Sequence, residues 1–181
     1  MSSSYTNQVL AYNDIFKMLV WLKKPSTIVE FGILHGYSLR NFAEASSPTT
    51  QIYAYDIFEK FNGNAASRDI IDTFKEYPNV HIADGDFYEL HKTYKDKSID
   101  LLHVDIANDG AVYEFAIEHY MTKLTDGGIL ILEGGSQERD SVHWMLKYNK
   151  VPIYNTLARY KTMYNIYTIN AFPSITFICN K

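Results

Sequence analysis

Five short β-rich runs, each closed by an acidic residue and alternating with helical segments, constrain this chain more than any other feature. The runs are Thr27–Phe31, Gln51–Tyr55, Asn79–Ala83, Ile99–Val104 and Ile129–Leu132. Glu30, Asp56, Asp84 with Asp86, Asp105 and Glu133 stand at their ends. Tyr37–Ala45, Ala65–Tyr77, Phe87–Tyr94, Val112–Leu124 and Glu138–Lys147 read as the helices that follow them. Ahead of the first run, Gln8–Leu22 carries Val9, Leu10, Tyr12, Ile15, Phe16, Leu19 and Val20. That spacing is close to 3.6, an amphipathic helix that Pro25 stops. Tyr164–Ile169 and Ile175–Cys179, joined by Asn170–Ser174, read as an antiparallel hairpin. Strands alternating with helices imply a parallel sheet covered on both faces. In such sheets ligands bind beyond the carboxyl ends of the strands. One acidic residue there would be an ordinary turn residue. Carboxylates at every strand end point to a ligand site.

The 181 residues, 46% apolar and 21% charged, suffice for one domain with a good core. We read residues 1–24 as an N-terminal helix and 25–181 as the core, whole or cut from a longer polypeptide. The net charge of −4 argues against bulk nucleic-acid binding, which needs a basic footprint. The single cysteine, Cys179, excludes an internal disulfide framework and a Cys-based zinc site. Apolar stretches such as Met18–Leu22 are too short to span a bilayer, and the first residues do not read as a signal peptide. A cytoplasmic, reducing location is the expectation.

The first strand–helix turn runs Glu30-Phe31-Gly32-Ile33-Leu34-His35-Gly36-Tyr37-Ser38. Gly32 permits a tight turn and close backbone approach. Gly36 lets the next helix pack closely, its N-terminus facing a ligand with free N–H groups. A dinucleotide site would want G-x-G-x-x-G, but Leu34 occupies the middle position. Asp56, twenty residues after Gly36, is placed to accept hydrogen bonds from ribose hydroxyls. Asp84-Gly85-Asp86-Phe87 combines a carboxylate and an aromatic ring, suited to the edge and face of an adenine.

Taken together, Glu30-x-Gly32-x-x-x-Gly36, Asp56, Asp84-Gly85-Asp86, Asp105 and Gly127-Gly128 resemble the motif series of class I S-adenosylmethionine-dependent methyltransferases. The resemblance covers essentially the whole chain, closing hairpin included. It implies an α/β, Rossmann-like doubly wound sheet of seven strands, order 3-2-1-4-5-7-6, with strand 7 antiparallel. It further implies S-adenosyl-L-methionine as cofactor. Glu30, Gly32, Gly36 and Ser38 would surround its methionine part, and Asp56 its ribose. Asp84, Gly85, Asp86 and Phe87 would meet the adenine, and Asp105 the amine or the reacting centre.

Methyl transfer to a hydroxyl needs a general base or a metal, because a neutral hydroxyl is a poor nucleophile. Asp105 and Glu133 end adjacent strands, with Asn108 and Asp109 close behind, an oxygen set suited to Mg²⁺ or Mn²⁺. The segment from His103 through Tyr113-Glu114 to Glu133 is similar to macrocin-type and rhamnosyl O-methyltransferases. Several of those hold a divalent metal at these strand ends, on two adjacent acids after the fifth strand. Here Gly134 follows Glu133. Asp105, Asp109 and His143 are the candidate catalytic residues, ranked over His35 and His103. Tyr148, Tyr154, Tyr160, Tyr164 and Tyr167 offer flat faces to a sugar, or fill the core and hairpin. The expected reaction is O-methylation of a sugar or glycan hydroxyl, at an open site that fits the accessible end of a larger molecule such as a glycan terminus, or one that a partner subunit in a homodimer would finish. The alternatives are another acceptor (phenol, amine or protein) and a cofactor-binding domain without turnover.

Overall fold

The structure, a computed structural model, describes residues 12–171 and 173–181. Residues 8–11 of the expected first helix lie outside them. One seven-stranded sheet runs in the order β3-β2-β1-β4-β5-β7-β6. The strands are β1 (Thr27–Phe31), β2 (Gln51–Asp56), β3 (Val80–Asp84), β4 (Ile99–Val104), β5 (Leu124–Glu133), β6 (Tyr164–Ile169) and β7 (Ile175–Asn180). The first five pair in parallel, and β7 is antiparallel to both β5 and β6. This is the fold class that the resemblance implied.

Helices α1 (Tyr12–Lys23), α2 (Tyr37–Ala45) and α3 (Ser67–Phe74) cover one face. Their core holds Phe16, Ile28, Leu39, Phe42, Ile52, Leu101 and Ile131. On the other face α4 (Phe87–Leu90), α5 (Gly110–Tyr120) and α8 (Ile153–Tyr160) pack over Val29, Phe31, Leu102, Val104, Leu130 and Leu132. The central strands are therefore closed to water on both sides, each large aliphatic contributing roughly 1.5–3 kcal/mol.

Several boundaries differ from the sequence reading. The segment expected as one helix over Glu138–Lys147 is two, α6 (Gln137–Asp140) and α7 (His143–Lys147). Val142 between them is extended, with ψ 149°. The expectation named no helix at α8. Its exposed N–H groups are capped from a distance: Asp140 accepts hydrogen bonds from the N–H groups of Ile153 and Tyr154, both at 2.8 Å. A cap thirteen residues upstream leaves no local signal. The fifth strand starts at Leu124 rather than Ile129: Leu124 pairs with Ile99 and, after a register shift that takes in Gly127-Gly128, Ile129 pairs with Leu101.

Candidate active site

The carboxyl ends of β1, β2, β4 and β5 open on a cavity of about 820 Å³. Its wall begins with the turn after β1. Gly32 has φ +90°, and a Cβ there would lie 2.3 Å from the Asp105 carbonyl oxygen. Only glycine lets the ends of β1 and β4 come this close. Gly36, at φ +74°, opens α2; a Cβ there would strike the Phe74 ring at 2.6 Å. Its smallness thus serves packing against α3.

Asp56 organises this turn. One oxygen accepts from the N–H groups of Ile33 (2.7 Å) and Leu34 (3.2 Å). The other accepts from the Phe58 N–H (2.8 Å) and the Asn64 amide (2.7 Å). The ribose role expected of Asp56 therefore has to share a carboxylate already bound to the protein. Gly85, Asp86 and Phe87 also line the cavity. Asp86 caps α4, accepting from the Tyr88 N–H at 2.9 Å. The Phe87 ring is 3% exposed and stacks on Tyr120 at 5.2 Å, so it is part of the core. Tyr88 beside it is 44% exposed and presents its ring instead.

Glu30 is fully buried behind the wall. The β1–β4 register pairs it with His103, whose Nδ1 lies 2.8 Å from Glu30 Oε1. The Ser38 hydroxyl donates to the same oxygen. Burial works to lower the His103 pKa, but the hydrogen bond and charge of Glu30 prevail and raise it. Glu30 Oε2 has no hydrogen-bond partner among the described residues.

At the other end, β4 and β5 pair Val104 with Leu132, so Asp105 and Glu133 emerge side by side. Enclosure in the cavity and the neighbouring Glu133 charge push the Asp105 pKa up to about 7. Glu133 is held on both oxygens. Arg139 Nη2 donates to Oε1 at 3.0 Å and Asn108 Nδ2 to Oε2 at 3.2 Å. Tyr113, buried, donates to Asn108 Oδ1 at 3.0 Å and to the Glu133 carbonyl. Tyr12, from α1, lines the same wall; burial and Glu133 push its phenol up to about 12.

Of the expected site residues, the cavity gathers Gly32, Ser38, Asp56, Gly85, Asp86, Phe87, Asp105 and Glu133. Asp84 instead forms an exposed ion pair with Lys60 at 2.5 Å. The Asp109 carboxylate caps α5 through the Ala111 N–H (2.9 Å) and pairs with Lys150 at 3.3 Å. His143 is exposed at the start of α7 and is not among the cavity-lining residues. The C-terminal tyrosines do not line it either. The rim is made by Leu34, Tyr37, Ile57, Phe61, Tyr88 and Ile106, all partly exposed. Sequence reasoning missed Tyr12, Phe61 and Arg139, none of which lies in a strand–turn motif.

Nor do the residues fit a divalent metal as expected. Among the described residues no group of three or more His, Cys, Asp or Glu could hold one. The better-placed acid of the expected set, Glu133, already spends both oxygens on a guanidinium and an amide.

A family model described as a methyltransferase domain matches residues 29–133. No curated protein matches the chain in sequence. Solved structures share its fold. TomG, an O-methyltransferase from Streptomyces achromogenes solved with SAM, superposes with a TM-score of 0.69 at 14% identity, covering 97% of this chain and 83% of that one. An O-methyltransferase from Bacillus cereus in complex with SAH gives 0.65 at 17% identity, over 97% and 84%. A Staphylococcus aureus protein assigned as a caffeoyl-CoA O-methyltransferase gives 0.71 at 20%, over 96% and 86%. No helix among the described residues is long and apolar enough to cross a membrane.

Proposed function

This chain belongs to the methyltransferase-domain family, and on that premise we propose an S-adenosylmethionine-dependent O-methyltransferase. The single observation that carries the reading is the pairing of two unlike walls in one cavity. A glycine turn, Asp56 and Asp86 form one, and a carboxylate pair forms the other. Relatives of the same fold solved with SAM and SAH support the choice of donor.

The chain's own groups fit that donor. The Gly32 turn leaves room where a Cβ would intrude. Ser38 lines the cavity wall, its hydroxyl held by the buried Glu30 behind it. Tyr88 offers a flat face next to Asp86 for a base. When bound, S-adenosylmethionine provides an electrophilic methyl on a sulfonium sulfur. The acceptor oxygen would take up that methyl as the C–S bond breaks, with a neutral thioether as the leaving group. Asp105 takes the hydroxyl proton. A carboxylate with a pKa near neutrality is matched to that task. Glu133, held by Arg139 and Asn108, places its charge beside Asp105 and keeps that carboxyl basic enough to take the proton, and Tyr12 and Phe16 line the site from α1.

The acceptor carries its hydroxyl on a ring. A sugar or glycan ring stacks on the aromatic rim through its C–H face. A phenolic ring is the second reading, favoured because the rim from Leu34 to Ile106 is apolar. A homodimer completing the open rim belongs to this proposal as well. The test is calorimetry with S-adenosylhomocysteine, then transfer of labelled methyl from S-adenosylmethionine to matched panels of glycans and catechols. Absence of S-adenosylhomocysteine binding removes the reading. Binding without transfer to either panel points to the domain without turnover.

A further inference from the structure

The charge on the β4–β5 wall is compensated in an unusual way. Arg139 is only 9% exposed. Its guanidinium donates to Glu133 at 3.0 Å and sits 5.4 Å from the Trp144 ring centre. A buried guanidinium must be matched by a carboxylate, and a carboxylate at a ligand cavity by a cation. Ser136 fixes the backbone under Arg139, accepting from its N–H at 3.2 Å. Asn108 closes the other oxygen of Glu133, its own amide oriented by the Tyr113 hydroxyl.

Position 134 completes the picture. Gly134 has φ +103°, a conformation that L side chains rarely adopt. A Cβ there would lie 3.1 Å from Asn108 Oδ1, 3.3 Å from Ile153 Cδ1 and 3.5 Å from Arg139 Cγ. A side chain following Glu133 would press on Asn108 and Ile153 and touch the stem of Arg139. The backbone would resist a side chain there in any case.

We propose that Arg139 takes the place of a divalent cation at the Asp105–Glu133 pair, so that this chain performs its methyl transfer without a metal. The proposal rests on the methyltransferase reading. Arg139 acts through Glu133 and is a positioning residue: it is not among the residues lining the cavity.

The test reads metal binding directly. Mn²⁺ is titrated into the full chain, with bound and free ion followed by electron paramagnetic resonance, in the presence of S-adenosylhomocysteine. The wild-type chain should leave Mn²⁺ free. Arg139→Ala should bind it at least about tenfold more tightly, and adding Asp105→Asn should reverse that gain. Arg139→Lys, which keeps the charge, should behave as wild type. Equal Mn²⁺ binding by wild type and Arg139→Ala overturns the proposal, as does wild-type binding that Asp105→Asn abolishes. Should Arg139→Ala fail to fold, the wild-type titration and transfer in excess EDTA decide. Unchanged transfer supports the proposal, and transfer lost in EDTA and restored by Mn²⁺ overturns it. Failure of S-adenosylhomocysteine to bind in calorimetry sinks the methyltransferase reading instead, and leaves the Mn²⁺ comparison to stand alone.

Discussion

At the ends of β1 and β2 the cavity wall is backbone gathered by one carboxylate, whereas at the ends of β4 and β5 it is side chains gathered by one another. On the first side, Asp56 binds the N–H groups of Ile33, Leu34 and Phe58, and Gly32 turns at φ +90°. On the second, Glu133 is held by Arg139 and Asn108, and Asn108 by Tyr113. A backbone wall is set by where glycines and short acids fall in the chain. A side-chain wall depends on long residues reaching from other elements. The first suits a ligand part that stays constant, the second a reacting centre whose protonation must be tuned.

The widest separation between the two sides should come from Asp105→Asn. Loss of a positioned base lowers a rate by roughly 10²–10⁴-fold. Methyl transfer should fall by that order while S-adenosylhomocysteine binding persists, as calorimetry beside a transfer assay can show. A transfer rate close to wild type would move the base elsewhere and erase the distinction drawn for this side.

Gly32→Ala should breach the boundary from the other direction. Its Cβ would lie 2.3 Å from the Asp105 carbonyl oxygen and 2.7 Å from the carbonyl carbon. A strained φ plus overpacking against backbone costs about 3 kcal/mol. Urea unfolding should show that loss, together with weakened donor binding and slower transfer, since Asp105 moves too. A variant of wild-type stability would mean that the β1 turn yields easily and does not hold the two sides together.

How legible each side is in the sequence follows the same division. The Gly32 turn, Asp56 and the Gly85-Asp86 turn are readable because each acts on backbone near itself or at the next strand end, whereas the strand order follows from the family resemblance of the whole motif series. Asp105 and Glu133 are readable because β4 and β5 lie in register. Arg139 carries no such mark: nothing local says that a residue in a four-residue helix turns back onto β5. Asp109 and His143 lie close in the chain to the right strands. Yet Asp109 is drawn away by the α5 N–H groups and Lys150, and His143 by the extended Val142 that starts a new helix. The abundance of tyrosine, 15 in all, divides the same way. Tyr113 and Tyr120 are fully buried core rings with their hydroxyls satisfied, while Tyr37 and Tyr88 face the cavity.

Asp56→Asn tests the backbone side by itself. An amide nitrogen can replace only one oxygen, and whichever it replaces then faces N–H donors. At least two donors lose their acceptor, which costs about 2 kcal/mol. The chain should unfold at lower urea and bind S-adenosylhomocysteine less well, while Mn²⁺ behaviour on the other side stays as in wild type. Undiminished stability would show that the turn after β1 is held by packing and not by this carboxylate.

The smallest effect is the most diagnostic, because it has the opposite sign. Enclosure and Glu133 raise the folded-state pKa of Asp105 to about 7, against roughly 3.9 for an unfolded aspartate. The folded chain therefore holds the Asp105 proton more tightly than the unfolded chain does. The resulting stability is fully present below about pH 4 and is lost as pH rises through about 7. Asparagine at 105 cannot ionise and escapes that loss. Its advantage over wild type should be near zero at about pH 4, grow between about 4 and 7, and level off above. Since Asp105 opens to the cavity, water screens the effect; about 1 kcal/mol, or roughly 2–4 °C in Tm, is the expected plateau. Thermal melts of both chains across that range check it. A difference that stays flat with pH would mean that the carboxylate pair is already neutralised in the folded chain, leaving Asp105 no more tuned for proton transfer than a surface acid.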